Sequence, residues 1–111
     1  MMYYKNCTTK SQPSQSYGAI AYSASSGAYG YSEKYANRTQ AESRAKQECG
    51  KSDCEIAAWY FNSCGALAAD DDGHWGGAQG GNEEGARRAA SARCEKEGGR
   101  NCRVIATQCS Q

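Results

Sequence analysis

The sequence predicts an α+β fold in which two pseudo-symmetric ββαβ repeats form one small disulfide-stabilised domain. Three observations lead to this prediction: the second half of the chain repeats the first, each half contains one helix with a face of small residues, and 7 cysteines occur in 111 residues. We expect an N-terminal arm over residues 1–15 and a single domain over 16–111, made of repeat one (16–63) and repeat two (64–111).

The second half of the chain repeats the order of small and apolar residues found in the first half. Four stretches match, and the separation between matching positions stays between 45 and 48 residues. The matched positions are 17–22 with 64–69, 27–30 with 73–76, Ala41, Ala45 and Cys49 with Ala86, Ala90 and Cys94, and 54–58 with 102–106. Small differences in loop length account for the changing separation, so two copies of one structural unit are indicated.

Each repeat begins with a pattern typical of a β-hairpin. A short apolar stretch is followed by turn-forming residues, 23–27 in repeat one and 70–73 in repeat two, and then by a stretch of glycine and aromatic residues. Glycine weakens a strand unless another backbone packs closely against it, so we expect tight packing here. The glycine-rich stretch 76–81 does not match a nucleotide-binding motif, and we expect it to form a flexible connection to the next helix.

One helix with a buried face of small residues is predicted in each repeat. In repeat one, Thr39 and Glu42 have the spacing of a capping box, which predicts the start of the first helix at Thr39. In repeat two, Asn82 is the expected N-cap, and Gly98 and Gly99 are expected to end the helix. The matched alanine and cysteine positions recur at i, i+4 and i+8, so they share one face. Such a face allows a helix to approach a sheet closely.

The last element of each repeat, 54–61 or 102–109, is the best strand candidate in that repeat.

Large aliphatic side chains are too few to fill the core of the predicted domain. Leucine, isoleucine, valine and phenylalanine together make up 6 of 111 residues. The aromatic and cysteine content and the net charge of +1 nevertheless argue against a disordered chain. We therefore expect alanine faces, cystines and aromatic rings to complete the core, with Trp59, Phe61 and Trp75 among the buried rings.

The cysteines are predicted to form disulfides rather than a metal site. Their spacing lacks the close pairs of a zinc site, and His74 is the one histidine in the sequence. In each repeat one cysteine ends the helix and the next opens the following strand, which pairs Cys49 with Cys54 and Cys94 with Cys102. The remaining two cysteines of the domain, Cys64 and Cys109, then form a third disulfide. Such a framework implies an oxidising compartment.

Residues 1–15 are polar, lack periodicity and contain the one proline of the sequence, which is typical of an arm without a core of its own. Cys7 lies in this arm and has no partner in the predicted disulfide set. Two alternatives remain open for it: a free thiol, or a disulfide to another chain that joins subunits.

Two segments, YGAIAYS at 17–23 and CGALA at 64–68, together with Gly30-Tyr31-Ser32 and Trp75-Gly76, resemble the pattern of domain-of-unknown-function family 4189. This family occurs mostly in exported bacterial proteins, and the resemblance covers about residues 16–110. It implies a compact, disulfide-bearing secreted domain. It implies no catalytic residues, because no activity is assigned to the family.

The turn of the second predicted hairpin combines acidic residues with the histidine. Asp70, Asp71, Asp72 and His74 stand together, whereas repeat one has serines at this turn, which suggests that the fold does not need acids there. Three interpretations are open: a solvated turn, a cation site, or an acid/base pair of a small hydrolase. The spacing lacks the alternation and the distal glutamate of an EF-hand loop, which weakens the calcium interpretation.

Aromatic residues among Gly, Ser and Asn are typical of surfaces that bind proteins or carbohydrates. Tyr29 and Tyr31 share one face of their strand, and with Tyr35 they form the candidate contact surface. Trp59 and Phe61 share a face of another strand.

The sequence favours an exported, non-catalytic domain for macromolecular recognition or assembly, located in the secreted, periplasmic or cell-surface compartment. The expected partner is a protein, a glycan or another copy of the chain, with no cofactor and no bound metal. A structural subunit joined through the arm is one alternative, and a small hydrolase or cation-binding protein centred on His74 and Asp70–Asp72 is another. Charges nearly cancel in both repeats, which disfavours nucleic-acid binding, and no apolar run is long enough to span a bilayer. No signal peptide is present in this sequence, and we expect that it has been removed.

Overall fold

Two three-stranded sheets face each other in the computed structural model, which describes residues 16–110, and one helix covers the outer side of each sheet. The strands and helices follow the predicted ββαβ order twice, which confirms the α+β class. They are β1 (Tyr17–Tyr22), β2 (Tyr29–Tyr35), α1 (Arg38–Cys49), β3 (Glu55–Phe61), β4 (Cys64–Ala69), β5 (Trp75–Gly80), α2 (Glu83–Lys96) and β6 (Arg103–Cys109).

Both sheets are antiparallel, and the first strand of each repeat lies at the centre of its sheet. The strand orders are β2-β1-β3 and β5-β4-β6. In β1, Ala19 and Ala21 pack towards α1, whereas Ile20 and Tyr22 face the second sheet. Because both faces of β1 and β4 are covered, these two strands are almost completely buried.

Small residues allow each helix to lie directly on its sheet. A Cβ atom on Gly30 would overlap the backbone of α1 at Cys49. A Cβ atom on the matching residue of repeat two, Gly76, would lie 2.5 Å from the backbone nitrogen of Cys94. Gly30 of β2 and Gly76 of β5 are therefore positions where the backbones of strand and helix approach closely, and they do not make the strands flexible.

The ring of Tyr60 fills the space between the two sheets at the matching positions Gly18 and Gly65. Tyr60 is completely buried, and a Cβ atom on either glycine would collide with its ring. The hydroxyl of Tyr60 donates a hydrogen bond to the carbonyl oxygen of Ser32 at 3.3 Å. Burial raises the pKa of this hydroxyl well above its ordinary value, and the nearby Glu33 adds to that effect.

Three disulfides join the same cysteine pairs that the repeat predicts, and they are Cys49–Cys54, Cys94–Cys102 and Cys64–Cys109. The first two connect the end of each helix to the strand that follows. Cys64 and Cys109 are directly opposite each other on β4 and β6. The matching position in repeat one holds a pair of rings, Tyr17 opposite Phe61, whose centroids are 4.6 Å apart.

Three local predictions are wrong. The N-cap of α1 is Asn37, not Thr39, because the extended backbone of Asn37 lets its side chain accept a hydrogen bond from the Gln40 N–H at 2.8 Å. Much of the predicted flexible connection 76–81 belongs to β5, since Gly76 and Gly80 pack on α2. Phe61 is 38% exposed, because it ends β3 at the margin of the sheet.

The two classes of disulfide should differ in their effect on stability. Replacing Cys64 and Cys109 by Ala opens a loop of 45 residues and should lower the free energy of unfolding by about 4 kcal/mol, whereas replacing Cys49 and Cys54, 5 residues apart, should cost about 2 kcal/mol. Denaturant unfolding of the two double variants measures this difference. Equal losses would contradict the loop-length explanation.

Candidate functional site

The side chain of Asp70 organises the turn between β4 and β5. Its Oδ1 atom accepts hydrogen bonds from the backbone N–H groups of Asp72 and His74, both at 2.9 Å. Its Oδ2 atom lies 2.8 Å from Nδ1 of His74 and accepts a hydrogen bond from the backbone N–H of Arg100 at 3.2 Å. Asp70 therefore fixes the turn and ties it to the loop between α2 and β6.

This hydrogen bonding controls the ionisation of Asp70, whose side chain is only 2% exposed. Burial alone would raise the pKa of the carboxyl, but the hydrogen bonds from His74, Arg100 and Asp72 outweigh burial and lower the pKa to about 2. The side chain of His74 is 39% exposed. The pair thus joins a buried, ionised carboxylate to a solvent-accessible imidazole.

Repeat one makes the same connection, but its carboxylate lies in the loop after the helix and not in the hairpin turn. Asp53, in the loop between α1 and β3, accepts hydrogen bonds from Oγ of Ser23 at 2.7 Å and Oγ of Ser25 at 2.6 Å. These hydrogen bonds lower the pKa of Asp53. Both repeats therefore use a carboxylate to join the hairpin turn to the loop that the disulfide closes. The serines of repeat one suggested that the fold needs no acid here, but Asp53 supplies it.

The other two acids of the turn have separate positions. Asp71 forms an ion pair with Arg103 at 3.0 Å, and both side chains are largely exposed. Asp72 contributes its backbone N–H to Asp70 rather than its carboxylate. Within residues 16–110, no three side chains of His, Cys, Asp or Glu come together as a possible metal site.

The three tyrosines of the candidate contact surface lie on two different faces. Tyr29 and Tyr31 are each 42% exposed on the outer strand β2. Tyr35 instead packs against the core cluster on the side of the sheet that faces α1. The cause is an irregularity in the pairing of β1 with β2, where Lys34 has a left-handed backbone (φ 66°).

A row of aromatic rings at the start of α1 is a feature that the sequence reasoning missed. The Tyr17 ring stacks on Trp59 with 6.3 Å between centroids, and it also contacts Phe61. The guanidinium of Arg38 lies 4.3 Å from the centre of the Trp59 ring. Alignment of the repeats contains a signal for this cluster, because Tyr17 and Phe61 match the disulfide pair Cys64 and Cys109.

The predicted N-terminal arm, which contains Cys7, lies outside the described residues. Among the helices within 16–110, none is long and apolar enough to cross a membrane.

Comparison with protein families gives a match over almost all of the described residues. The model of DUF4189, described as a domain of unknown function, matches residues 17–109. The match covers both repeats and all six cysteines of the three disulfides.

Three curated mycobacterial proteins are similar to this chain: Protein Mb1300c of Mycobacterium bovis, and Protein MT1307 and Protein Rv1269c of Mycobacterium tuberculosis. Each is 48% identical over 61 residues, which is 55% of this chain and 48% of the relative. The chain thus aligns with about half the length of these relatives. The search of solved structures gave no significant match.

Substitution of Asp70 by Asn should alter the dependence of stability on pH. The folded-state pKa of about 2 lies below the ordinary value of 3.8, so the ionised carboxylate stabilises the fold above about pH 4, and this contribution is lost as the pH falls through about 2. We therefore expect the wild type to lose more stability than Asp70→Asn between about pH 5 and pH 2.

Denaturant midpoints at a series of pH values measure the effect. Asp72→Asn is the matched control and should follow the wild type. If Asp70→Asn and the wild type lose stability equally on acidification, the role assigned to Asp70 is wrong.

Proposed function

The chain belongs to the DUF4189 family, and we propose that it is an exported, non-catalytic domain that binds a protein or glycan partner outside the cell through the exposed tyrosines of β2. The observation that carries this proposal is the exposure of Tyr29 and Tyr31, each 42%, in a domain whose other large apolar side chains are buried or partly buried except Phe61. Exposed aromatic groups that share a face are typical of recognition surfaces.

The strand that contains these tyrosines, β2, packs tightly against α1. Gly30 and Ser32 alternate with them and are buried against α1. The Ser32 hydroxyl donates a hydrogen bond to the carbonyl oxygen of Ala41 at 2.6 Å. A strand fixed in this way presents its two rings in a preorganised arrangement, which reduces the entropy cost of binding.

Repeat two lacks this surface, although it has the same fold. The positions that match Tyr29 and Tyr31 are Trp75, whose ring contacts Tyr22, and Gly77, which is buried. The exposed tyrosines are therefore not required by the ββαβ architecture. This difference supports a role in binding rather than in folding.

Charged groups border the tyrosines and provide a polar rim. A cavity of about 370 Å³ beside them is lined in part by Glu33, Arg44 and Glu48. Arg44 and Glu48 form an ion pair at 2.8 Å. Apolar rings with a polar rim of both signs suit a macromolecular surface, where the rings contribute contact area and the rim contributes specificity.

Two further observations support the remaining parts of the proposal. Three disulfides in a domain of this size are typical of proteins that fold in an oxidising compartment, which supports export. Both carboxylate oxygens of Asp70 accept hydrogen bonds from the turn and the adjacent loop, which supports a structural role for the pair with His74 rather than acid/base catalysis.

Replacing both Tyr29 and Tyr31 by Ala should weaken partner binding without unfolding the domain. The partner would be isolated from envelope and extracellular fractions, purified and titrated by biolayer interferometry. Because exposed aromatic anchors dominate many interfaces, we expect the affinity of the double variant to fall at least about tenfold. Its thermal midpoint should stay close to that of the wild type, since both rings are exposed.

Asp71→Ala is the control, because Asp71 is exposed in the other repeat. Unchanged affinity of the tyrosine variant, or a catalytic activity that is lost in His74→Ala, would refute the proposal.

A further inference from the structure

A groove runs along the side of the domain where β3 of one sheet adjoins β5 of the other. It consists of two neighbouring cavities of about 420 and 380 Å³. Both are lined by Ala57, Gly77 and Arg93, so these three residues mark the middle of the groove. None of them belongs to the tyrosine surface of β2.

The floor of the groove is smooth because small residues form it. A Cβ atom on Gly77 would lie 2.5 Å from the carbonyl carbon of Ala57 and 2.7 Å from its Cβ atom. Glycine at this position therefore allows the two strands to meet. Because Gly77 and Ala57 carry at most a methyl group, no bulky side chain stands where the two strands meet in the groove.

Arg93 brings a cation to this floor. Glu97, four residues further along the chain, lines the first cavity with it, whereas no acidic residue lines the second cavity. The two helices contain five arginines, and four of them pair with a glutamate one turn away: Arg38, Arg44, Arg87 and Arg88. Within the described residues Arg93 has no carboxylate within 4.0 Å, and its Nη1 donates a hydrogen bond to the carbonyl oxygen of Gly77 at 3.4 Å. A guanidinium in a cavity with this arrangement retains donors for an incoming anion.

Each of the two cavities that share Arg93 is also lined by one tryptophan. Trp75 lines the first cavity and Trp59 the second. Both rings are partly buried, since Trp75 also contacts Tyr22 and Trp59 also contacts Tyr17 and Arg38. Polar side chains line the same cavities, His74 the first and Gln79 the second. Amphipathic rings that flank a charged group, above a floor without side-chain pockets, suit the apolar faces and hydroxyl groups of sugars.

Repeat one does not reproduce this chemistry at the matching place. The position of Arg93 is taken by Glu48, which is already paired with Arg44, and the position of Gly77 is taken by Tyr31. The cation and the open floor are therefore properties of repeat two rather than of the fold.

We propose that this groove binds an acidic oligosaccharide, with a uronate carboxylate on Arg93 and neighbouring sugar rings against Trp75 and Trp59. Arginine holds carboxylates through two parallel hydrogen bonds, which gives the site both charge and orientation specificity. A peptide is disfavoured because the floor offers no pockets for alternate side chains. The proposal is independent of the tyrosine surface.

Titration with trigalacturonic acid and with its fully methyl-esterified form tests the proposal, because the two trisaccharides differ in carboxylate charge. The two indole N–H signals of the protein in nitrogen-15 NMR report both ends of the groove. We expect the acid to shift both signals and the amide signals of Gly76 and Gly77, and the ester to bind at least about tenfold more weakly. Arg93→Gln should weaken binding of the acid by a similar factor.

Arg88→Gln is the matched control, because Arg88 is an exposed arginine of the same helix and lies outside the groove. This control and the double variant Tyr29→Ala with Tyr31→Ala should bind the acid as the wild type does. Equal affinity for acid and ester, equal losses in the two arginine variants, or no binding of the acid would overturn the proposal. Tighter binding of triglutamate than of the trisaccharide would assign the groove to acidic peptides and would also overturn it.

Discussion

The packing of the Tyr60 ring between two glycines sets the distance between the sheets. Gly18 and Gly65 occupy matching positions in the repeats, and only the absence of a Cβ atom at both leaves room for the ring. Since Ile20 and Leu67 are the only large aliphatic residues that are fully buried within residues 16–110, one tyrosine provides much of the volume between the sheets. The same spacing brings Gly77 against Ala57, and so it also creates the side groove.

Comparison of the two repeats distinguishes the residues that the fold requires from the surface residues that it does not require. Both repeats keep a central strand of small residues, an alanine-faced helix on a glycine, and a carboxylate that joins the hairpin turn to the disulfide-closed loop. The repeats differ at their surfaces, where repeat one presents Tyr29 and Tyr31 and repeat two presents Arg93. A surface residue that occurs in only one repeat is not required for folding and can therefore contribute to binding. Both proposed binding surfaces contain such residues.

The sequence predicted the features that depend on local pattern. The element order and the cysteine pairs follow from matched spacing, because two copies of one unit limit how strands and disulfides can be arranged. The place of Tyr60 could not be predicted, since its counterpart Gln108 gives no hint of a buried ring. The equivalent roles of Asp53 and Asp70 depend on contacts between loops 28 to 30 residues apart, which spacing within one repeat does not show. The separation of Tyr35 from Tyr29 and Tyr31 depends on one left-handed residue, Lys34, which has no marker in the sequence.

A double-mutant cycle between Gly65 and Tyr60 tests the central constraint most directly. Denaturant unfolding would be measured for Gly65→Ala, Tyr60→Leu and the combined variant. If the ring sets the spacing of the sheets, Gly65→Ala should cost about 2–3 kcal/mol in the wild type and less than about 1 kcal/mol beside Tyr60→Leu, because the smaller side chain leaves room for the added methyl group. The same cost in both backgrounds would show that the two positions act independently and would contradict this account.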